Sequence, residues 1–198
     1  MSVKNRILRR IQGKGRGAVF TPADFTDLGS RSAVDQTLSR FARDGPIRRL
    51  DRGLYDYPRR SRRVGDRSPD PDAVAQAVAR KLGARLQRSG AWTANVLGLS
   101  THVPAQVVYL TDGPSRTISA GNSRVTLRHA GPRSLLGAGT ATGDVYQALR
   151  FLGRNGIDQS TVDTLRGRLT AADRSRLGRD LRRFPSWMRS VVAQAVSA

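Results

Sequence analysis

The chain has 198 residues, of which 35 are Lys or Arg and 15 are acidic, so its formal charge is +20 and its isoelectric point is near 11.8. It contains no cysteine, which excludes disulfides, thiolate metal sites and cysteine nucleophiles. No apolar run approaches the ~20 residues of a membrane helix, and the first twelve residues lack the apolar region of a secretory signal. We therefore expect a soluble, cytoplasmic protein.

The excess of positive charge predicts a polyanionic partner, most often nucleic acid. The basic residues are 32 Arg and 3 Lys, and all the acidic residues are Asp, a bias that a GC-rich genome also produces. Codon bias explains Arg in place of Lys but not the charge excess. The charge is divided evenly, since residues 1–67 hold 17 basic and 7 acidic residues and residues 68–198 hold 18 and 8.

Two helices are predicted near the start of the chain. In "SVKNRILRRI", Ser2 is a candidate N-cap, and Val3, Ile7 and Ile11 recur at helical spacing. In "TPADFTDLG", a Thr cap, a Pro at the first helical position and an Asp in the first turn predict a second helix.

The clearest helix lies in "SRSAVDQTLSRFARDG". Ser32 is its predicted N-cap, with Asp35 three residues later, and Gly45 is its predicted stop. The apolar stripe of this helix is formed by Val34, Leu38 and Phe41.

A basic hairpin is predicted directly after this helix. "IRRL" and "LYDY" are strand candidates around Asp51-Arg52-Gly53, where glycine supplies the positive φ of a tight turn. Helix, strand, helix, turn, longer helix and hairpin form the order of a winged helix-turn-helix, so we predict such a DNA-binding domain over residues 1–60. Tyr55 and Tyr57 are expected to pack the hairpin against the core.

The rest of the chain predicts a second α+β domain. Residues 61–69 are rich in Arg, Pro and Ser and are predicted to be a basic linker. Residues 70–198 begin with the amphipathic segment "PDAVAQAVARKLGARL", capped by Asp70 or Ser68, and a short helix in "AWTANVLGL". Three antiparallel strands then precede a helical C-terminal tail. The predicted fold class is therefore α+β.

The predicted DNA contacts follow from the helix and the hairpin. With the apolar stripe inward, we expect Arg31 to pair with guanine and Gln36 with adenine in the major groove, while the hairpin arginines bind phosphate. The alternative is a solvated basic hairpin. The expected contacts are Arg31, Ser32, Gln36, Ser39, Arg40, Arg43, Arg48, Arg49, Arg52, Arg59, Arg60 and Arg62.

The sequence does not predict an enzyme, a metal or a cofactor. It has no Cys or Glu, and its two histidines, His102 and His129, lack a second ligand at metal spacing. The only Asp-x-Asp, at Asp70 and Asp72, falls at a helix cap, and "GKGRG" lacks the ending of a phosphate-binding loop.

Two segments resemble the AbiEi-type antitoxins of type IV toxin–antitoxin systems. "FTPADFTDLGSRSAVDQTLSRFARDGPIRRLDRGLYDYPR" resembles their N-terminal winged-helix domain, and "TANVLGLSTHVPAQVVYLTDGPSRTISAGNSRVTLRHAGPR" resembles their central domain. The resemblance covers roughly residues 3–155. It implies an autorepressor that binds inverted repeats cooperatively and counteracts a nucleotidyltransferase-like toxin. In the implied antitoxin domain, Arg116 is the exposed residue that we select as a candidate.

Two other functions fit the same sequence. One is a winged-helix transcriptional regulator without a toxin partner, which the neighbouring gene would distinguish. The other is a basic RNA- or ribosome-associated protein, which exposed aromatics interleaved with Arg would favour. Aromatic residues make up 6% of the chain and most occupy core-like positions, so the DNA interpretation is preferred.

Overall fold

The computed structural model describes residues 2–61, 65–104 and 106–197, which form a mixed α+β structure. The α-helices are α1 (Val3–Lys14), α2 (Arg31–Asp44), α3 (Pro71–Leu82), α4 (Gly90–Val96), α5 (Ala141–Leu152), α6 (Gln159–Arg168), α7 (Ala171–Asp180) and α8 (Ser186–Val196). The strands are β1 (Val19–Phe20), β2 (Arg48–Asp51), β3 (Leu54–Asp56), β4 (Arg60–Ser61), β5 (Gly65–Asp66), β6 (Leu86–Arg88), β7 (Val107–Thr111), β8 (Arg116–Ala120) and β9 (Ser123–His129). Short 3₁₀ helices span Pro22–Phe25, Pro132–Leu135, Arg154–Gly156 and Leu181–Arg183.

The chain divides into two compact units. The first contains Met1–Ala84 and Arg116–Thr126, and the second contains Arg85–Ser115 and Leu127–Ala198. This division differs from the predicted boundaries at residues 60 and 70. Helix α3 joins the first unit because its apolar face, including the buried Val74 and Val78, packs toward β1.

The core of the first unit is built by the apolar faces of α1 and α2. Ile7 and Ile11 of α1 are fully buried, and the predicted stripe of α2 is confirmed as its buried face. Phe20 and Phe25 meet edge to face within this core at 5.4 Å between ring centroids. Ser2 caps α1 as predicted, since its hydroxyl accepts a hydrogen bond from the Asn5 amide.

Two helix starts differ from the sequence prediction. Helix α2 is capped by Ser30, whose hydroxyl accepts a hydrogen bond from the Ala33 amide at 3.3 Å, so Ser32 lies exposed in the first turn. The Thr21 and Asp24 side chains form the reciprocal capping box that the sequence indicates. They cap the 3₁₀ helix Pro22–Phe25 rather than an α-helix.

The predicted hairpin is confirmed as β2 and β3. These strands pair antiparallel, and β3 lies between β1 and β2 in a three-stranded sheet. Gly53 turns the chain with a φ of 64°, a conformation that costs little only for glycine. As the central strand, β3 has all three of its side chains buried.

The segment after the hairpin also departs from prediction. Strands β4 and β5 pair antiparallel within and beside the predicted linker, and the Ser68 hydroxyl accepts a hydrogen bond from the Asn122 amide at 2.9 Å. Helix α3 begins at its predicted Asp70 cap and ends at Leu82, because Gly83 adopts a left-handed conformation. Leu86, the last residue of the predicted helix, instead begins the short strand β6.

The second unit packs its helices around α5. Helix α5 contacts α4 and α7, and α8 contacts both α6 and α7. Leu149, Leu165, Leu177 and Phe184 are buried at the centre of this core. The predicted helical tail is confirmed, and β6 and β7 of this unit pair antiparallel. Each helix of the described residues falls short of the length or the apolar character that crossing a membrane requires.

The second unit contains a pair of hydrogen bonds to the Asp180 carboxylate that are sensitive to acid. The Asp180 carboxylate accepts hydrogen bonds from Arg183 at 2.9 Å and from the buried Thr142 hydroxyl at 2.8 Å. The Arg183 hydrogen bond, helped by that of Thr142, lowers the pKa of Asp180 below its ordinary value. This lowering stabilises the folded chain above the ordinary Asp pKa of about 3.9, and the stabilisation is lost as the pH falls through the lower folded pKa.

We therefore expect Asp180→Asn to make the free energy of unfolding less dependent on pH below about 4. Trp92 and Trp187 both lie in the second unit, so tryptophan fluorescence during urea denaturation measures this effect. Asp163→Asn is the control, because it removes the same charge from the exposed surface of α6, where its partners are exposed as well. If the free energy of unfolding depended on pH equally in Asp180→Asn and in the parent chain, Asp180 would not be the source of this acid sensitivity.

Candidate nucleic-acid interface

Helix α2 presents a polar face to solvent. Because its apolar stripe is buried, the residues on the opposite side are exposed. Their spacing follows the helical repeat, so they share one side of the helix. This face, together with Arg31 at the helix start, is called the α2 polar face; its residues are Arg31, Ser32, Gln36, Ser39, Arg40 and Arg43.

The cations of the α2 polar face differ in their partners. Arg31 pairs with Asp35 and Arg43 with Asp44, each with 3.0 Å between guanidinium nitrogen and carboxylate oxygen. Both pairs are exposed, and such pairs contribute only about 0–1 kcal/mol, so a phosphate or base can replace the carboxylate. Among the residues that the structure describes, no carboxylate pairs with Arg40. This helix therefore offers one unpaired guanidinium and two that are weakly held.

Arg48 of the hairpin is engaged inside the first unit. Its Nε and Nη2 donate to the two carboxylate oxygens of Asp56 at 3.0 and 2.7 Å, and Nη2 also donates to the Arg67 carbonyl at 2.9 Å. Asp56 is fully buried. The hydrogen bond to this carboxylate raises the pKa of Arg48 above its ordinary value. Arg48 was expected to contact phosphate, but in the structure its donors bind Asp56 and the Arg67 carbonyl.

The other hairpin arginines lie exposed. Arg52 stands at the turn with an exposed side chain, while its carbonyl accepts a hydrogen bond from the Lys81 ammonium at 2.7 Å. Arg49 donates to the Asp51 carbonyl at 3.4 Å, and Arg60 lies 3.6 Å from the Asp66 carboxylate. The expected contact at Arg62 lies outside the described residues.

The residues that follow the hairpin are tied back to the start of the unit. Arg59 donates from Nε to the Arg16 carbonyl at 3.1 Å. Arg16 in turn donates to the Pro58 carbonyl and lies 4.7 Å above the centroid of the Tyr57 ring. Tyr55 is buried in the core and Tyr57 packs against it, so the expected packing of both rings is confirmed.

Helix α1 adds cations that the site prediction omitted. Lys4, Arg9 and Lys14 are exposed, whereas Arg10 is held by both oxygens of Asp27. This hydrogen bond raises the pKa of Arg10 and lowers that of Asp27. The apolar spacing of α1 already turns Lys4 and Arg9 outward, and that signal could have found them.

Arg116 is not the exposed residue that we expected. It begins β8 in the first unit and is half-buried, and its Nε is a buried atom that has no hydrogen-bond partner among the described residues. His129, by contrast, is hydrogen-bonded as expected, with 3.0 Å from its Nδ1 to the Gly113 carbonyl. The described part of the chain brings no three His, Asp or Glu side chains together in a way that could hold a metal ion.

The Arg48–Asp56 pair predicts unequal effects of its two conservative substitutions. Arg48→Gln leaves a fully buried carboxylate without its cation, which typically costs about 3–5 kcal/mol of stability. Asp56→Asn leaves Arg48, whose side chain is 29% exposed, free to reach solvent and should cost clearly less. Urea denaturation followed by far-ultraviolet circular dichroism measures both. Equal losses, or a larger loss for Asp56→Asn, would contradict the assigned asymmetry.

Comparison with known proteins identifies a family and a distant structural neighbour. Residues 6–177 match the model of a family described as "Family of unknown function (DUF6088)". No curated protein matches the chain significantly. The crystal structure of the Rv2827c protein from Mycobacterium tuberculosis is similar over 95% of this chain and 75% of that one, with 17% sequence identity and a TM-score of 0.42.

Proposed function

We propose that this chain, which belongs to DUF6088, a family of unknown function, uses its first unit as a winged helix-turn-helix domain that binds duplex DNA. The observation that carries the proposal is the α2 polar face, which is exposed along the helix and combines amide, hydroxyl and guanidinium groups. Gln36 and Arg40 face solvent without a competing carboxylate among the described residues. A helix with such a face fits the major groove of DNA.

The residues of the α2 polar face differ in their proposed roles. Arg31 and Gln36, near the start of the helix, reach base edges, where bidentate pairing with guanine or adenine discriminates by ~1–3 kcal/mol. Ser32 and Ser39 are short and allow the helix backbone to approach the groove. Arg40 and Arg43, toward the helix end, bind phosphate, which positions the domain without reading sequence.

The β2–β3 hairpin acts as the wing. Its exposed Arg49 and Arg52 supply planar donors that suit phosphate oxygens. Lys4 and Arg9 of α1 add phosphate contacts beyond those expected from the sequence. Arg48 supports the wing from within rather than touching DNA, because its donors are committed to Asp56.

Gln36→Ala and Arg52→Ala should weaken DNA binding in different ways. Loss of Gln36 relaxes preference at one base pair by about 1–3 kcal/mol, whereas loss of Arg52 weakens all duplexes and lowers the salt dependence by about 0.9 log unit per log unit of salt. Fluorescence anisotropy with the upstream region and a scrambled duplex, each over a salt series, measures both.

Arg154→Ala is the matched control for this experiment, because it removes an exposed Arg from the second unit without touching α2 or the hairpin. Equal affinity of the parent chain for scrambled and upstream DNA would overturn sequence reading. If Arg52→Ala left the salt dependence of DNA affinity unchanged, the hairpin tip would not contact DNA phosphate. Competition by double-stranded RNA as strong as that by DNA would favour an RNA-binding protein instead.

We further propose that the chain is an AbiEi-type antitoxin that represses its own operon and counteracts a nucleotidyltransferase-like toxin. The support is the resemblance of two successive segments, in the order found in those antitoxins. The same resemblance implies inverted-repeat operators and cooperative dimerisation on DNA. A regulator without a toxin would have the same first unit, so only the second part of the proposal depends on the neighbouring gene.

Co-expression with the product of an adjacent nucleotidyltransferase-like gene should restore growth. The Gln36→Ala chain should still restore growth while losing operator preference, if neutralisation resides outside the α2 polar face. Colony counts with the toxin under separate induction provide the measurement. If the parent chain failed to restore growth, or if no such gene lay beside its own, the antitoxin proposal would be overturned. A transcriptional regulator without a toxin partner would then be favoured.

A further inference from the structure

The second unit contains a polar pocket of about 380 Å³. It lies where the end of β9 meets the 3₁₀ helix Pro132–Leu135 and α5, and Gly90 lies at its inner side. A side chain at Gly90 would come within 2.5 Å of the Gln147 carbonyl, so this close approach of α4 to α5 requires glycine. The side chains that matter for its chemistry are Arg128, His129, Ser134, Arg150 and Phe151.

Hydrogen bonds fix the walls of this pocket. The Arg150 guanidinium donates to the Ser134 hydroxyl at 2.8 Å, and the buried Gln147 amide donates to the Ser134 carbonyl. The His129 ring bonds the Gly113 carbonyl through Nδ1. Since a carbonyl only accepts, Nδ1 carries hydrogen and Nε2 is the ring nitrogen left for a ligand.

The cations of the pocket are Arg128 and Arg150. For comparison, Arg85 and Arg183 of this unit are paired with the carboxylates of Asp112 and Asp180. Within the described residues, neither Arg128 nor Arg150 has a carboxylate within ion-pair distance. Like charges gathered around one concave site repel each other, and an anion bound between them removes that repulsion.

We propose that this pocket binds a mononucleotide, with its phosphate between the guanidiniums of Arg128 and Arg150 and its base against Phe151. Planar guanidinium donors match phosphate oxygens in pairs, and the Ser134 hydroxyl adds a further polar group. Phe151 is 46% exposed at the rim of the pocket, where a planar ring can stack on it. The volume falls within the ~300–1,000 Å³ typical of small-ligand sites.

The test is calorimetric titration of the full chain with adenosine 5′-monophosphate, adenosine and inorganic phosphate, and with the other three mononucleotides. The monophosphate should bind at least about tenfold more tightly than adenosine, which corresponds to ~1.4 kcal/mol. Arg128→Gln and Arg150→Gln should each weaken it by about tenfold, while Phe151→Ala should weaken the nucleotide and leave inorganic phosphate unchanged. Arg154→Gln, an exposed Arg outside the pocket, should change nothing.

Each contrary result has a definite meaning. Equal affinity for adenosine and its monophosphate overturns the phosphate site, as does an equal loss in the Arg154→Gln control. If none of the four mononucleotides binds, the pocket is not a nucleotide site. Displacement of bound nucleotide by duplex DNA, lost in Arg150→Gln, would assign these cations to nucleic acid instead. Thermal denaturation of each variant verifies folding, and the substituted Arg side chains are exposed.

Discussion

The first unit depends on one buried charge. Asp56 lies on the central strand of the sheet with its side chain fully buried, and Arg48 stands directly opposite on β2. A carboxylate in that position is tolerated because two guanidinium donors reach it across the strands. This pair sets which residues of β2 face inward. Arg49, the next residue on β2, therefore points to the opposite face and is exposed.

Local patterns predicted most elements of the fold, because apolar spacing and caps act within a few residues. The buried stripe of α2, the Ser2 cap and the turn at Gly53 follow from neighbours in sequence. The predicted N-cap of α2 is wrong because two serines stand near the helix start. Both Ser30 and Ser32 have a side chain that suits an N-cap, and the helix is capped by Ser30. The end of α3 is also predicted too late, because the helix ends at Leu82, where Gly83 adopts a left-handed conformation.

Features that arise from distant contacts could not be predicted. Nothing near Arg48 distinguishes it from Arg49 until the strands pair and one of them meets Asp56. Likewise, Ser68 and Asn122 are far apart in sequence but share a hydrogen bond, so the strands around Asn122 join the first unit. The exposed face of α2 was predictable because its opposite face is apolar. The pocket cations around Arg150 come from separate segments and became visible only in the fold.

The bond from Lys81 to the Arg52 carbonyl has a consequence for association. It attaches the hairpin turn to the last turn of α3, and a side chain at Gly53 would come within 3.3 Å of the same ammonium nitrogen. A loop that is already ordered loses less conformational entropy when a partner arrives, and each mobile side chain that must be immobilised costs about 0.5–1.5 kcal/mol. The backbone at the tip of the hairpin is thus already ordered before an anionic surface binds. The side chain of Arg52 is the group there that still loses conformational entropy on binding.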